Sequence, residues 1–261
     1  MLFNDPFDVP REMSFGLTPG DIVGALGRRI AHLIEHPPDD TSDLEPGVRL
    51  IVETAKTGIP SDVKEELLGE LRETAISHRP TSENMDALRA LWRSLIPDLR
   101  ILCLTERPSH VAMWFHYADQ YRGAVLEFKC DDELDSAWLA ARPVAYPTTK
   151  PAVYTADGWA TLLTMPQASA IRTIVEVSTF TKAPDWSYER EWRIASLKRP
   201  TDTGPFTDYK FQPNELAAVY LGPMISAADR ETLTALAAHY PTAVVWDVAI
   251  GMSRDLQFST S

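Results

Sequence analysis

The sequence predicts an α+β fold, with a mixed or antiparallel central sheet formed mainly by the second half and packed with helices mainly from the first half. Three observations predict it. Apolar residues recur at helical spacing through most of the first hundred residues, strand-like apolar runs come later, and the two do not alternate regularly as a parallel α/β fold would require.

The elements follow in order. The stretch to Leu17 reads as a loop around the turn-forming pair Asp5-Pro6. Asp21 to Glu35 reads as an amphipathic helix with Ile22, Ala25, Leu26, Ile30 and Leu33 on one side, ended by Pro37-Pro38. Val48–Glu53 is too short to type. Ser61 is placed to cap a helix to about Ser77, and a further helix from about Ser82 to Ile96 carries Met85, Leu88, Leu91, Trp92 and Leu95 before Pro97. Arg100–Thr105 is strand-like. Ser109 then opens a helix to about Tyr121 that Gly123 ends. Ala124–Phe128 is a short strand, and Gly158 to Thr173 a helix open to interruption at Pro166. Val175–Lys182, Tyr188–Leu197 and Ala217–Leu221 read as strands, Ser226 opens a helix to about His239, and Thr242–Val248 is a last strand. The expectation is one domain over residues 1–261, with a helical insertion or subdomain at about residues 21–97.

Composition bounds the function. The chain has 261 residues, 44% hydrophobic and 24% charged, enough to bury a core. With 37 acidic against 25 basic residues the formal charge is -12, which repels phosphate backbones. Nucleic-acid binding is therefore not expected unless the loose cluster Arg190, Arg193, Lys198 and Arg199 forms a local patch. Cys103 and Cys130 are too few for a disulfide framework and read as small buried hydrophobes. No apolar run has membrane length and the N-terminus does not look like a signal peptide, so a soluble, cytoplasmic protein is expected.

Three groups of residues could carry chemistry. As one strand, Tyr188–Leu197 would point Glu189, Glu191 and Arg193 to the same face, with the carboxylates roughly 6.5–7 Å apart. Like charges at that spacing raise each other's pKa and the guanidinium lowers it, so the set suits acid–base or positioning work. It equally suits a solvated face with a weak ion pair. Trp186, Tyr188 and Trp192 flank it with aromatic surface. In Met113–Tyr117, Val111, Trp114, Phe115 and Ala118 form an apolar stripe and His116 lies off it, placed either as a hydrogen-bonding base in a cleft or as a surface histidine. In Phe3–Asp8, Asn4 and Asp5 build an Asx turn or present polar groups to a site walled by Phe3 and Phe7. Asp5, Asp8, Glu189 and Glu191 together would be a carboxylate set of the kind that suits Mg²⁺ in a hydrolase, but no metal-ligand motif supports a metal assignment. Rossmann, P-loop, zinc-protease and nucleophile-elbow motifs are absent from the sequence.

Taken together, Phe3-Asn4-Asp5-Pro6-Phe7-Asp8, Met113-Trp114-Phe115-His116-Tyr117-Ala118 with Gly123, and Trp186-Ser187-Tyr188-Glu189-Arg190-Glu191-Trp192-Arg193 resemble the ordered boxes N-D-P-F-[DE], M-W-x-x-Y-A…G and Y-E-x-E-[WF]-R of a bacterial family of domains of unknown function. Members of that family carry a K-Y-R-like strand ahead of the first box. This chain opens almost inside that box, so the resemblance implies that the strand is missing or its role is filled elsewhere.

The order of a Leu102-Cys103-Leu104-Thr105 strand followed by a Glu-x-Glu strand is also similar to ADP-ribosyltransferases. That resemblance implies NAD as substrate and a toxin or phage-defence type of effector. Glu191 would bind the nicotinamide ribose and stabilise an oxocarbenium-like transition state, Glu189 would orient the acceptor, and Thr105 would support the glutamate. Trp114, Tyr117 or Trp186 would stack on nicotinamide, with Arg193 and His116 in the same site. The expected partners are a small-molecule ligand and a macromolecular acceptor or partner protein, with no membrane. The alternative is a non-catalytic binding module in which the boxes are packing and turn motifs.

Overall fold

The computed structural model describes residues 17–77, 90 and 92–260, and the chain divides into two compact units. The first comprises residues up to Asp98 together with Ala145–Pro184; the second comprises Leu99–Val144 and Asp185–Ser261. The α+β class holds, with the sheet strands mainly in the second half of the chain. The box at Phe3–Asp8, with Asn4 and Asp5, and most of the helix expected at Ser82–Ile96 lie outside the described residues.

Helices build the first unit. α1 (Pro19–Glu35) starts two residues earlier than the apolar spacing implies, because Thr18 and Asp21 form a reciprocal capping box and Pro19 occupies the first turn. α2 (Pro46–Lys56) types the segment that was too short to read, with Glu45 accepting from the Val48 backbone N–H. α3 (Ser61–Ser77) follows as expected. Leu33, Leu44, Val48 and Val52 form one buried cluster, and Ala31, Ile34 and Leu68 another. α5 (Ala156–Leu163) and α6 (Gln167–Phe180) complete the unit; α4 (Val111–Tyr117) belongs to the second unit. The break between α5 and α6 falls at Pro166, as the sequence implies, but the strand expected at Val175–Lys182 is helical to Phe180. Pro166 stands at the N-cap, and the helix absorbs its β-branched residues by back-bonding: Thr173 and Thr181 donate their hydroxyls to the carbonyls of Ser169 (2.9 Å) and Val177 (2.7 Å). Arg29 Nε donates to Thr164 Oγ1 at 2.7 Å, tying α1 to the end of α5.

The second unit holds two sheets. β1 (Leu99–Thr105), β4 (Glu191–Leu197) and the short β3 (Arg142–Pro143) form an antiparallel sheet in the order β1-β4-β3. β2 (Ala124–Phe128), β5 (Leu216–Leu221), β6 (Val244–Ile250) and β7 (Leu256–Thr260) form a mixed sheet in that order, with β5 and β6 parallel and joined by α7 (Ala227–Ala237). α4 (Val111–Tyr117) lies on the mixed sheet, where Trp114 and Ala118 pack with Ala218, Tyr220, Val248 and Leu256. Only part of the apolar stripe read from the sequence is buried, since Val111 is 40% and Phe115 48% exposed. Cys103, on β1, and Cys130, in the segment after β2, were expected inside but are both exposed.

α4 is also shorter than its pattern implies. His110 rather than Ser109 is the N-cap residue, and the helix stops at Tyr117. Asp119, Gln120 and Tyr121 then adopt left-handed φ of 45°, 52° and 69°. This curl is tied down by Gln120 N–H to Phe115 O (3.2 Å), Tyr121 N–H to Trp114 O (3.2 Å) and Gly123 N–H to Ala118 O (2.8 Å). Gly123 is required by close approach, since a Cβ there would meet the Ala118 carbonyl at 3.1 Å.

Candidate functional site

The segment Tyr188–Leu197 is not one strand. Pro184–Glu189 forms 3-10 turns and β4 begins at Glu191, with Arg190 at φ +46° between them. Strict alternation therefore does not relate Glu189 to Glu191. Both nevertheless turn inward: Glu189 and Arg193 have no exposed surface and Glu191 is 3% exposed. The left-handed residue produces this result, because reversing the chain at Arg190 buries its two neighbours and leaves its own side chain outside.

Inside, Arg193 and Glu191 form an ion pair. Arg193 Nε and Nη2 donate to the two Glu191 carboxylate oxygens at 2.8 and 3.0 Å, a bidentate pair. Tyr117 donates its hydroxyl to Glu189 Oε1 at 3.0 Å, and Thr105 donates to the Glu189 backbone carbonyl at 3.3 Å. Burial first, and then the Glu189 carboxylate, push the Tyr117 phenol above its ordinary range, so it remains a neutral donor. Thr105 faces Glu191 across the β1–β4 ladder and Cys103 faces Arg193. The geometry is that of a hydrogen-bonded network around a buried ion pair.

An open cleft of about 350 Å³ lies beside this network, lined by Thr105, Glu106, Arg107, Ser109, His110, Tyr188 and Arg190. Glu106, Arg107, Ser109, Tyr188 and Arg190 are exposed there. Trp192 Nε1 donates to Glu106 Oε1 at 2.9 Å. His110 Nδ1 is buried without a hydrogen-bond partner, and its ring lies 5.9 Å from Tyr188. Tyr188 stands 6.0 Å from Trp186, which stands 6.5 Å from the exposed His116.

Of the residues nominated from sequence, Thr105 and Tyr188 line the cleft, and Trp186 neighbours Tyr188. Glu189, Glu191 and Arg193 form the internal network, and the half-exposed Tyr117 donates to it from its edge. Trp114 is core: it is 1% exposed and its indole donates to Pro108 O at 2.6 Å, which leaves no face for a ligand. Asn4 and Asp5 lie outside the described residues. The sequence reading missed Glu106, Arg107, Ser109, His110 and Arg190 as a group. Their signal was the polar run Thr105–His110 between a strand and a helix, a position where binding loops concentrate. The basic patch imagined over Arg190–Arg199 does not form as one surface, because Arg193 is internal and Arg199 is engaged by Asp202 and stacked over Tyr209 at 4.8 Å.

Among the described residues, no group of three or more His, Cys, Asp or Glu side chains is placed to hold a metal ion, and no helix is long and apolar enough to cross a membrane.

The second unit is thus a two-sheet α+β body with a buried ion-pair network beside an open polar cleft. A family model described as protein of unknown function (DUF2971) matches residues 113–194, from the first residue of the Met-Trp box to the residue after Arg193. The first box and most of the cleft-lining loop precede the matched residues. No curated protein and no solved structure matches the chain.

Proposed function

We propose that this protein binds a phosphorylated ligand of the nucleotide class in the Thr105–Arg190 cleft, with NAD the dinucleotide that the resemblance to ADP-ribosyltransferases nominates. The observation that carries this reading is the convergence of Arg107 and Arg190 on one cleft with Ser109, His110 and Tyr188. Guanidinium forks match phosphoryl oxygens, and hydroxyl and imidazole groups add donors. The Tyr188 ring, 40% exposed, offers a face on which a base or nicotinamide can stack. The volume suits a small ligand. The whole chain carries -12, which favours a small anionic ligand over a nucleic-acid backbone.

The enzymatic form of the reading is NAD consumption. There the C1′–N bond of the nicotinamide ribose breaks, nicotinamide leaves, and water or an acceptor nucleophile adds at C1′ with loss of its proton. Such a step needs a carboxylate within reach of the ribose. Glu106 supplies one on the cleft wall, whereas Glu189 and Glu191 are committed internally. The geometry thus favours Glu106 over Glu191 as the acid that meets substrate.

Calorimetric titration with ADP, NAD and inorganic pyrophosphate tests the binding. ADP is expected to bind, and Arg107→Ala or Arg190→Ala to weaken it at least about tenfold, the worth of one charge-assisted contact. Absence of binding by all three probes overturns the proposal. Nicotinamide release from NAD, lost in Glu106→Gln and kept in folded Glu191→Gln, is the outcome expected of the enzymatic form.

A further inference from the structure

Resting on the nucleotide reading above, we infer that Glu106 is a specificity residue that selects a ribose diol, making the cleft a ribonucleotide site that discriminates against 2′-deoxyribonucleotides. Glu106 is the carboxylate among the cleft-lining residues, and it follows directly on Thr105, the last residue of β1. Its orientation is set from outside the cleft wall. Trp192, paired with Leu104 across the β1–β4 ladder, donates its indole N–H to Glu106 Oε1 at 2.9 Å. An indole nitrogen donates and cannot accept, so this bond holds the side chain as an acceptor and leaves Oε2 and the remaining lone pairs for other donors.

A carboxylate beside two arginines imposes a two-part demand on any occupant. Arg107 and Arg190 favour an anionic portion, while Glu106 repels anions and accepts hydroxyl hydrogens. A phosphorylated ribose meets both demands within one small molecule: phosphoryl oxygens for the guanidinium groups and two adjacent O–H donors for the carboxylate. Inorganic phosphate or a deoxyribose phosphate meets only part of the demand. A fixed acceptor discriminates more sharply than a mobile one, because a missing hydroxyl is not made up by side-chain rearrangement.

The test compares ADP with 2′-deoxy-ADP by calorimetry on wild type, Glu106→Ala and Trp192→Phe. Wild type is expected to prefer ADP at least about tenfold, the range of one hydrogen bond to a charged acceptor. Glu106→Ala is expected to bring the two affinities together by weakening ADP, and Trp192→Phe to narrow the gap by freeing the carboxylate. A merely structural role for Glu106 would lower thermal stability without changing the ribo-to-deoxy ratio. Equal affinities in wild type, or a preference that survives Glu106→Ala, overturn the inference while leaving the nucleotide reading in place. Failure of wild type to bind either ligand overturns the inference, and the nucleotide reading falls with it where NAD and pyrophosphate also fail to bind.

Discussion

Arg190 holds a left-handed φ of +46° between two buried glutamates, and a non-glycine residue there carries a strain of about 1–2 kcal/mol. Arg190→Gly should therefore leave thermal stability equal or slightly raised while weakening ADP binding. Chemical denaturation of the variant checks the first half, and calorimetry the second. The Glu191–Arg193 pair behaves oppositely. Removing either charge breaks a buried bidentate pair, so Glu191→Ala or Arg193→Ala should cost about 3–5 kcal/mol of stability. A loss under about 1 kcal/mol by urea denaturation would mean that the pair is solvated. The residue types and order of this box were legible in the sequence, and their inward orientation was one of the two readings it left open. The reason for that orientation was not legible. Period-two alternation puts Glu189 and Glu191 on one strand face, whereas a backbone reversal at Arg190 does so in fact, and a left-handed arginine leaves no mark in a side-chain pattern. Arg107 was overlooked, and Arg190 was read only as part of a loose basic cluster, for a related cause: an exposed Arg looks the same whether or not others converge on it.

At the scale of elements, the Met113–Gly123 box reads as packing. Trp114 and Ala118 seat α4 on the mixed sheet, and three successive left-handed residues turn the chain into β2. Gly222 completes the turn, since a Cβ there would meet Tyr121 O at 2.2 Å and Gly123 O at 2.6 Å. Gly222→Ala should therefore cost about 3 kcal/mol, the upper range for overpacking against groups that do not yield, and the thermal midpoint reports it. Several caps and breaks were well marked: Ser61, Pro166 and Ser226 begin or interrupt elements near where residue chemistry places them, whereas the Thr18 cap of α1 was not read. Two segments misled for opposite reasons. Val175–Lys182 is rich in β-branched residues yet continues a helix, because hydroxyl back-bonding and tertiary context override a weak propensity. Asp119–Tyr121 has no glycine yet takes glycine-like angles, held by bonds back to the α4 carbonyls.

For the molecule as a whole, pH provides a separate probe. Tyr117 and Tyr220 both have phenols raised above the ordinary value of 10.0, in each case mainly by burial and then by a glutamate partner, Glu189 for the first and Glu127 for the second. Below that pH both are protonated whether folded or not, and they add no pH dependence. Above it the unfolded chain releases protons that the folded chain keeps, so stability must fall as pH rises. Tyr117→Phe and Tyr220→Phe should each flatten that alkaline decline, measured as urea midpoints between pH 8 and 11. The two-sheet organisation of the second unit was legible only as a set of strands. Which strand joins which sheet depends on long-range pairing such as Leu104 with Trp192 and Val219 with Val245, which no local pattern encodes.

The division of labour between an internal ion pair and an external nucleotide cleft is tested most directly by one paired titration. ADP affinity and thermal midpoint are measured together for wild type, Arg193→Met and Arg107→Ala/Arg190→Ala. The predicted result is a crossed one: Arg193→Met lowers the midpoint and leaves the affinity of the folded protein within about threefold. The double variant keeps the midpoint and loses at least about tenfold in affinity. A double variant that binds ADP as wild type does, or a stable Arg193→Met protein that no longer binds it, would contradict that division.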